Sequence, residues 1–316
     1  MIHVLPYCPV LLFHATFPGG VPVPPRLDNC EPERIHDELA RLKRHYAFLP
    51  IDELCARSSL RGVASVTFDD GYRSVIDQAW PVLKDLGIPI TIFVNGASLE
   101  GVPFWRDQVR AVIAAGRESQ LEALVSARIP EYAKLRGSLY SRSKSPAIHS
   151  RAFAEVLDAF CREHLNSVDP GHSIRSLAGV PSDPLLTFGN HTHHHYVLSS
   201  LRDEEQAEEI ERTEDVLERA GVHRSRVLAI PFGGADSFNR ATLRIARSLG
   251  FRGALLTRGR LNRYRPVEVE GIRLLDRFMP GATARRSVPW QIALLAMRDV
   301  VVRGLAPADL DERARN

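Results

Sequence analysis

The chain has 316 residues, 44% hydrophobic and 25% charged, enough to bury a full core as one large α/β barrel or as two smaller domains. Those figures exclude a disordered chain, a collagen and a coiled coil. Forty-one Lys and Arg against 38 Asp and Glu leave a formal charge of +3, too little for a nucleic-acid coat, so no nucleic-acid partner is expected.

In chain order, the opening MIHVLPYCPVLLFHATFPGG has no Lys or Arg for the basic start of a signal peptide, and Pro6 and Pro9 interrupt its apolar run. Cys8, Cys30, Cys55 and Cys161 show no Cys-x-x-Cys spacing and fit a reduced compartment, so a cytoplasmic location is expected. Short apolar runs recur at residues 10–13, 64–68, 90–94, 185–188, 227–230, 254–257 and 272–278. Near-continuous apolarity over so few residues predicts strands buried on both faces.

Between the runs lie helical patterns. Ile35, Leu39 and Leu42 form one stripe within 31–46, and Val75, Ile76, Ala79, Val82 and Leu83 another within 72–86; segments 201–220 and 239–249 continue the alternation. About seven strand–helix units predict a parallel α/β sheet, and that many favour closure into a barrel. Chemistry then belongs just after each strand, at its carboxyl end.

The rhythm breaks between Val94 and Leu185, where 105–115, 119–127 and 152–164 are helical in pattern. The expected organisation is a single domain, 1–316, with a helical insertion near 101–184 that serves as lid, substrate shelf or packing subdomain. A helical tail is expected near 287–316. Its apolar stretch 288–302 contains Gln291, Arg298 and Asp299 and falls short of a ~20-residue membrane span, leaving at most peripheral contact with a membrane. The acidic segment 202–218 reads first as a solvated helix face, and the Arg-rich 224–286 second as an approach for an anionic or phosphate-bearing substrate.

Asp69-Asp70-Gly71 follows the second apolar run. Adjacent carboxylates repel unless a cation compensates, and because successive side chains diverge they can take different tasks, one binding metal and the other a proton. After the fourth run comes Gly189-Asn190-His191-Thr192-His193-His194-His195. His191 can pair with His194 or with His195 by spacing alone. One carboxylate with two imidazoles leaves a divalent ion open positions, the pattern of a catalytic site, and a neighbouring carboxylate supplies a base for amide or ester hydrolysis.

Thr67-Phe68-Asp69-Asp70-Gly71, His191-Thr192-x-x-His195 and Pro231-Phe232-Gly233, with Pro9-Val10-Leu11-Leu12-Phe13-His14 as opening strand, resemble the successive motifs of the polysaccharide deacetylases, in their Pro-Phe-Gly branch. These are metal-dependent carbohydrate esterases sharing the nodulation-type deacetylase domain, a distorted (β/α) barrel. The resemblance implies Asp70, His191 and His195 as metal ligands and Asp69 as general base. It implies the Phe232 N–H as oxyanion donor and Arg277 as the residue that steadies the base. Pro231, Gly233 and Trp105 are expected against the substrate. Where many members have an Arg two residues before the third-motif proline, this chain has Ala229, and no histidine follows His223 to serve as the late general acid. His14 is expected to replace it, with His193 and His194 as runners-up, while Asn190 is expected to fix the histidine loop.

The expected ion is zinc, with cobalt, nickel, manganese or iron able to occupy the same ligands. The expected reaction is removal of an N-acetyl group from an amino sugar in a glycan or glycan precursor. Alternatives are a deacylase or deformylase of a lipid- or nucleotide-linked amino sugar, and a catalytically inactive sugar-binding barrel. A glycosidase using Asp69 and Asp70 is disfavoured, because adjacent residues are poorly placed to flank a glycosidic bond.

Overall fold

The computed structural model describes residues 7–165, 172–281 and 287–303. The predicted runs are strands β1 (Val10–Phe13), β2 (Val63–Phe68), β3 (Ile90–Val94), β4 (Leu186–Asn190), β5 (Arg224–Ala229), β6 (Gly253–Leu256) and β7 (Ile272–Asp276). Each pairs in parallel with the next in chain order. The sheet curls until its two edges touch. Just past β7, the Phe278 N–H donates to the Val10 carbonyl at 3.2 Å and the Leu12 N–H donates to the Phe278 carbonyl at 3.1 Å. The expected α/β class and distorted barrel are thus borne out.

Strand side chains alternate between two apolar layers. Val10, Val63, Phe93, Val227, Ala229, Leu255 and Leu275 form an inner layer together with Ile51, Leu54 and Cys55 of helix Ile51–Ala56. Their neighbours, such as Leu11, Val66, Phe68, Ile92 and Leu256, pack against the surrounding helices. The inner register turns polar toward the carboxyl ends. His14 continues Val10, Thr67 and Asp69 continue Val63, Thr257 continues Leu255 and Arg277 continues Leu275. A single period-2 pattern therefore builds an apolar floor and gathers chemistry above it. Gly189 is needed for that floor, since a Cβ there would overlap the Phe93 ring.

The helices lie close to their predicted spans: Pro32–Leu42, Trp105–Ala114, Glu118–Arg128, Ser150–His164, Asp203–Arg219 and Arg240–Ser248. The expected helix 72–86 begins at Arg73 and contains a π-turn, Val75–Ala79, that leads into Trp80–Asp85, while Tyr72 just ahead of it donates to Asp107. Sequence periodicity missed the short strands Tyr7–Cys8, Ala47–Phe48, Asn262–Arg263 and Val267–Val269, which are too brief to carry a pattern. In the expected tail, helix Val288–Arg303 is present and 304–316 lie outside the described residues, as do 166–171 of the insertion. No helix among the described residues is long and apolar enough to cross a membrane.

Candidate metal centre and its surroundings

Asp69 and Asp70 follow the end of β2, where Asp70 adopts a left-handed backbone, φ +69°, and both carboxylates approach His191 Nε2, at 3.5 Å and 3.6 Å. Thr192, His195 and Phe232 share that conformation, at φ +63°, +61° and +63°. Non-glycine residues there are strained, and each of the three motif loops carries at least one.

The loop after β4 is tied down by its own side chains. Asn190 Oδ1 accepts from the Thr192 N–H at 2.8 Å, and Asn190 Nδ2 donates to the Ile210 carbonyl and to Glu214, both at 2.9 Å. Thr192 Oγ1 accepts from the His195 N–H at 3.1 Å. His191 Nδ1 bonds the Ala229 carbonyl at 2.8 Å, which fixes the tautomer that leaves Nε2 free as a ligand atom. That Nε2 lies 3.6 Å from Asp70 Oδ1, and His195 Nε2 lies 3.4 Å from the same oxygen. One ligand atom from each of Asp70, His191 and His195 falls within 4.8 Å of the others, and all three residues are buried. Asp70 Oδ1 is enclosed and accepts no hydrogen bond among the described residues. A buried carboxylate oxygen left unpaired between two imidazoles fits a divalent cation.

The spacing ambiguity is resolved by the other two histidines, which turn away. His194 Nδ1 bonds Glu209 Oε1 at 2.7 Å and its ring stacks on Tyr196, while His193 is buried with Nε2 3.4 Å from Glu100. Neither joins the ligand cluster.

Asp69 is clamped by Arg277 at two points, Nη1 to Oδ1 and Nη2 to Oδ2, both 2.7 Å. Arg277 is fully buried and also donates to Thr257 Oγ1 at 3.2 Å. Burial alone would raise the Asp69 carboxyl, but the charge and hydrogen bonds of Arg277, with His191 beside it, outweigh burial and hold it below the usual range. Asp70 has no such clamp, and burial pushes it up to about 8. Burial lowers both His191 and His195, so each imidazole is neutral at pH 7. His14 is half-buried, with Nδ1 unpartnered among the described residues, and burial pushes it down to about 4 against the pull of Asp69.

The third-motif loop is shaped by Gly233, at φ +59°, where a Cβ would overlap the Thr257 backbone. Pro231 and Gly233, expected against substrate, are both buried within that loop. Phe232 is the residue of the three that reaches open space, its ring centre 4.6 Å from that of His195. The Phe232 N–H donates to no group among the described residues. Trp105, also expected against substrate, is buried, and its indole N–H donates to the His195 carbonyl at 3.2 Å. It braces the ligand loop from the insertion, a role with no sequence signal.

Within the Arg-rich 224–286, of which 282–286 lie outside the described residues, several arginines are held in ion pairs. Arg224 and Arg226 pair with Glu214, Arg240 and Arg244 with Glu270, Arg258 with Asp276 and Arg277 with Asp69.

Residues 57–123 and 181–254 match the polysaccharide deacetylase family. Both stretches contain ligand loops, the first Asp69 and Asp70 and the second the histidine cluster and Phe232. Among solved structures, the chain resembles the Streptococcus pyogenes deacetylase PplD in complex with acetate, at 17% identity and TM-score 0.54 over 92% of this chain and 98% of that one. It also resembles IcaB from Ammonifex degensii, at 20% identity and TM-score 0.53 over 92% and 97%. At such identities the likeness is one of fold. No curated protein sequence is matched.

Proposed function

Starting from the polysaccharide deacetylase domain that the chain carries, we propose a metal-dependent hydrolase that removes the N-acetyl group from an N-acetylated amino sugar in a glycan or glycan precursor. One arrangement carries the reading. A three-residue ligand cluster of Asp70, His191 and His195 lies beside a second carboxylate, Asp69, held ionised and oriented by Arg277. Asp70, His191 and His195 would hold a divalent ion that would supply Lewis acidity and lower the pKa of water toward ~7; zinc suits the donors best, and cobalt, nickel, manganese or iron fit the same set.

The chain's own groups do the rest. Asp69, rigid in its two-point clamp, takes the proton from the attacking water. The unpaired Phe232 N–H donates to the oxygen that becomes negative as the carbonyl carbon turns tetrahedral; such a donor contributes about 2.7–4 kcal/mol in other hydrolases. His14, on the inner register of β1, protonates the departing amine. Because burial keeps it neutral at pH 7, it acts as an acid only after receiving the proton that Asp69 collects. The four cysteines, all free and buried, accord with a reducing compartment such as the cytoplasm.

The test is acetate release from an N-acetylated chito-oligosaccharide before chelation, after it, and after zinc is restored. Activity should vanish and return. Sugar binding without acetate release at any stage would favour an inactive carbohydrate-binding barrel.

A further inference from the structure

Phe232 has two sides. One ring contact is His195 of the ligand cluster; elsewhere the residue lines a cavity of about 370 Å3 between the insertion and the loop after β5. Three cations, Arg136, Arg142 and Lys144, line that cavity against a single acid, Asp236. Arg142 is ion-paired with Glu122. Lys144 has no ion-pair partner among the described residues.

Behind Lys144 stands a second cation that forms no ion pair among the described residues. Arg106 is 2% exposed, and its hydrogen bonds go to neutral groups, the Ser143 hydroxyl at 2.7 Å and the Tyr140 carbonyl at 3.3 Å. Its guanidinium lies 4.1 Å from the centre of the Tyr140 ring and 5.5 Å from that of Phe232. Lys144 Nζ lies 5.7 Å and 5.8 Å from the same two centres. Two like charges therefore converge on one aromatic pair. Ring contacts offset only about 0.5–2 kcal/mol per cation, far from neutralising them. A buried guanidinium with no ion pair among the described residues, acted on by Asp70 only from beyond ion-pair distance and set beside a second cation, gains from an anion that joins. Lys144 is exposed, and partial desolvation of its ammonium with the charge of Arg106 holds it below its ordinary value against the pull of Asp236 and Asp28.

We propose that Lys144, backed by the field of Arg106, is an anion-binding subsite, and that the amino sugar deacetylated at the ligand cluster carries a phosphate or carboxylate group seated there. The placement of the acetyl group rests on the deacetylase reading; the subsite itself does not. The Phe232 ring lies 4.6 Å from that of His195 and 5.8 Å from Lys144 Nζ, so both groups belong to one sugar or to adjoining units. A phosphate matches a lipid- or nucleotide-linked precursor, and a carboxylate matches a uronate-containing glycan.

Calorimetric binding to the metal-loaded protein tests this with N-acetylglucosamine 1-phosphate, N-acetylglucosaminuronic acid and uncharged N-acetylglucosamine. At low salt, at least one charged sugar should bind about tenfold more tightly than the uncharged one. Lys144→Gln should erase that preference and Lys144→Arg retain it. Preference for the phosphate alone assigns a phosphorylated precursor, for the carboxylate alone a uronate, and for both an acidic sugar of either kind. Equal affinities, no binding by either charged sugar, or a preference that survives Lys144→Gln overturns the subsite. Acetate release measured in parallel separates the two readings. Charged-sugar preference without acetate release sinks the deacetylase alone, and acetate release without preference sinks the subsite alone.

Discussion

Asp69 and Arg277, 208 residues apart in the chain, meet as a buried two-point ion pair with neither side chain more than 3% exposed. Removing one partner of such a pair strands the other's charge. Arg277→Met should destabilise the protein by about 3–5 kcal/mol and move the acid limb of the rate profile to higher pH. The sign follows from linkage. Asp69 is held below its unfolded value of about 3.9, so its stabilisation is present above that pH and is lost as pH falls through the folded value. Urea unfolding at pH 7 and pH 3 measures both. A variant as stable as the parent at pH 7 would contradict the pairing.

Asp69→Asn preserves shape and one acceptor for Arg277 but removes the base. Metal content should stay at one ion per chain while acetate release falls about 10²–10⁴-fold. Retained turnover would reassign the base.

Metal uptake should depend on pH through Asp70. Without an ion beside it the Asp70 carboxyl is pushed up to about 8, whereas His191 and His195 are already neutral at pH 7. A ligand must be ionised to bind, so affinity should weaken as pH drops below about 8, with close to one proton released per ion, and level off above it. Zinc titrations against a competing chelator at several pH values read this directly; a flat profile would count against it.

Trp105→Phe removes the indole N–H that reaches the His195 carbonyl, together with part of the ring packed against Phe153 and Phe232. Global stability should change by about 0.5–1.5 kcal/mol, while metal affinity drops about tenfold as the loop loses its brace. Affinity equal to the parent's would show that the loop holds itself.

His14→Ala should leave metal content intact and slow acetate release about 10²–10⁴-fold. A near-parental rate would remove His14 as the proton donor and direct attention to Tyr140, whose ring lies between Arg106 and Lys144.

Much of this was legible in the sequence because each barrel strand is buried on both faces and reads as an unbroken apolar run, with the chemistry following at its end. The pairing within the histidine loop was legible only through the family resemblance, since spacing treats His194 and His195 alike. The distinction comes from Glu209 capturing His194 and from left-handed turns at Thr192 and His195. Ala229 read as a departure from the family pattern, yet its carbonyl orients His191, and a backbone carbonyl has no signature in residue identity. The roles of Trp105, Arg106 and Lys144 were hidden because no strand register ties the insertion to the barrel.

Arg277 sits one residue before Phe278, whose backbone stitches the last strand to the first. Closing the seam and delivering the counter-charge to Asp69 are therefore a single event in assembly. A chain with only its first six strands carries Asp70, His191 and His195 but lacks the guanidinium that Asp69 is paired with.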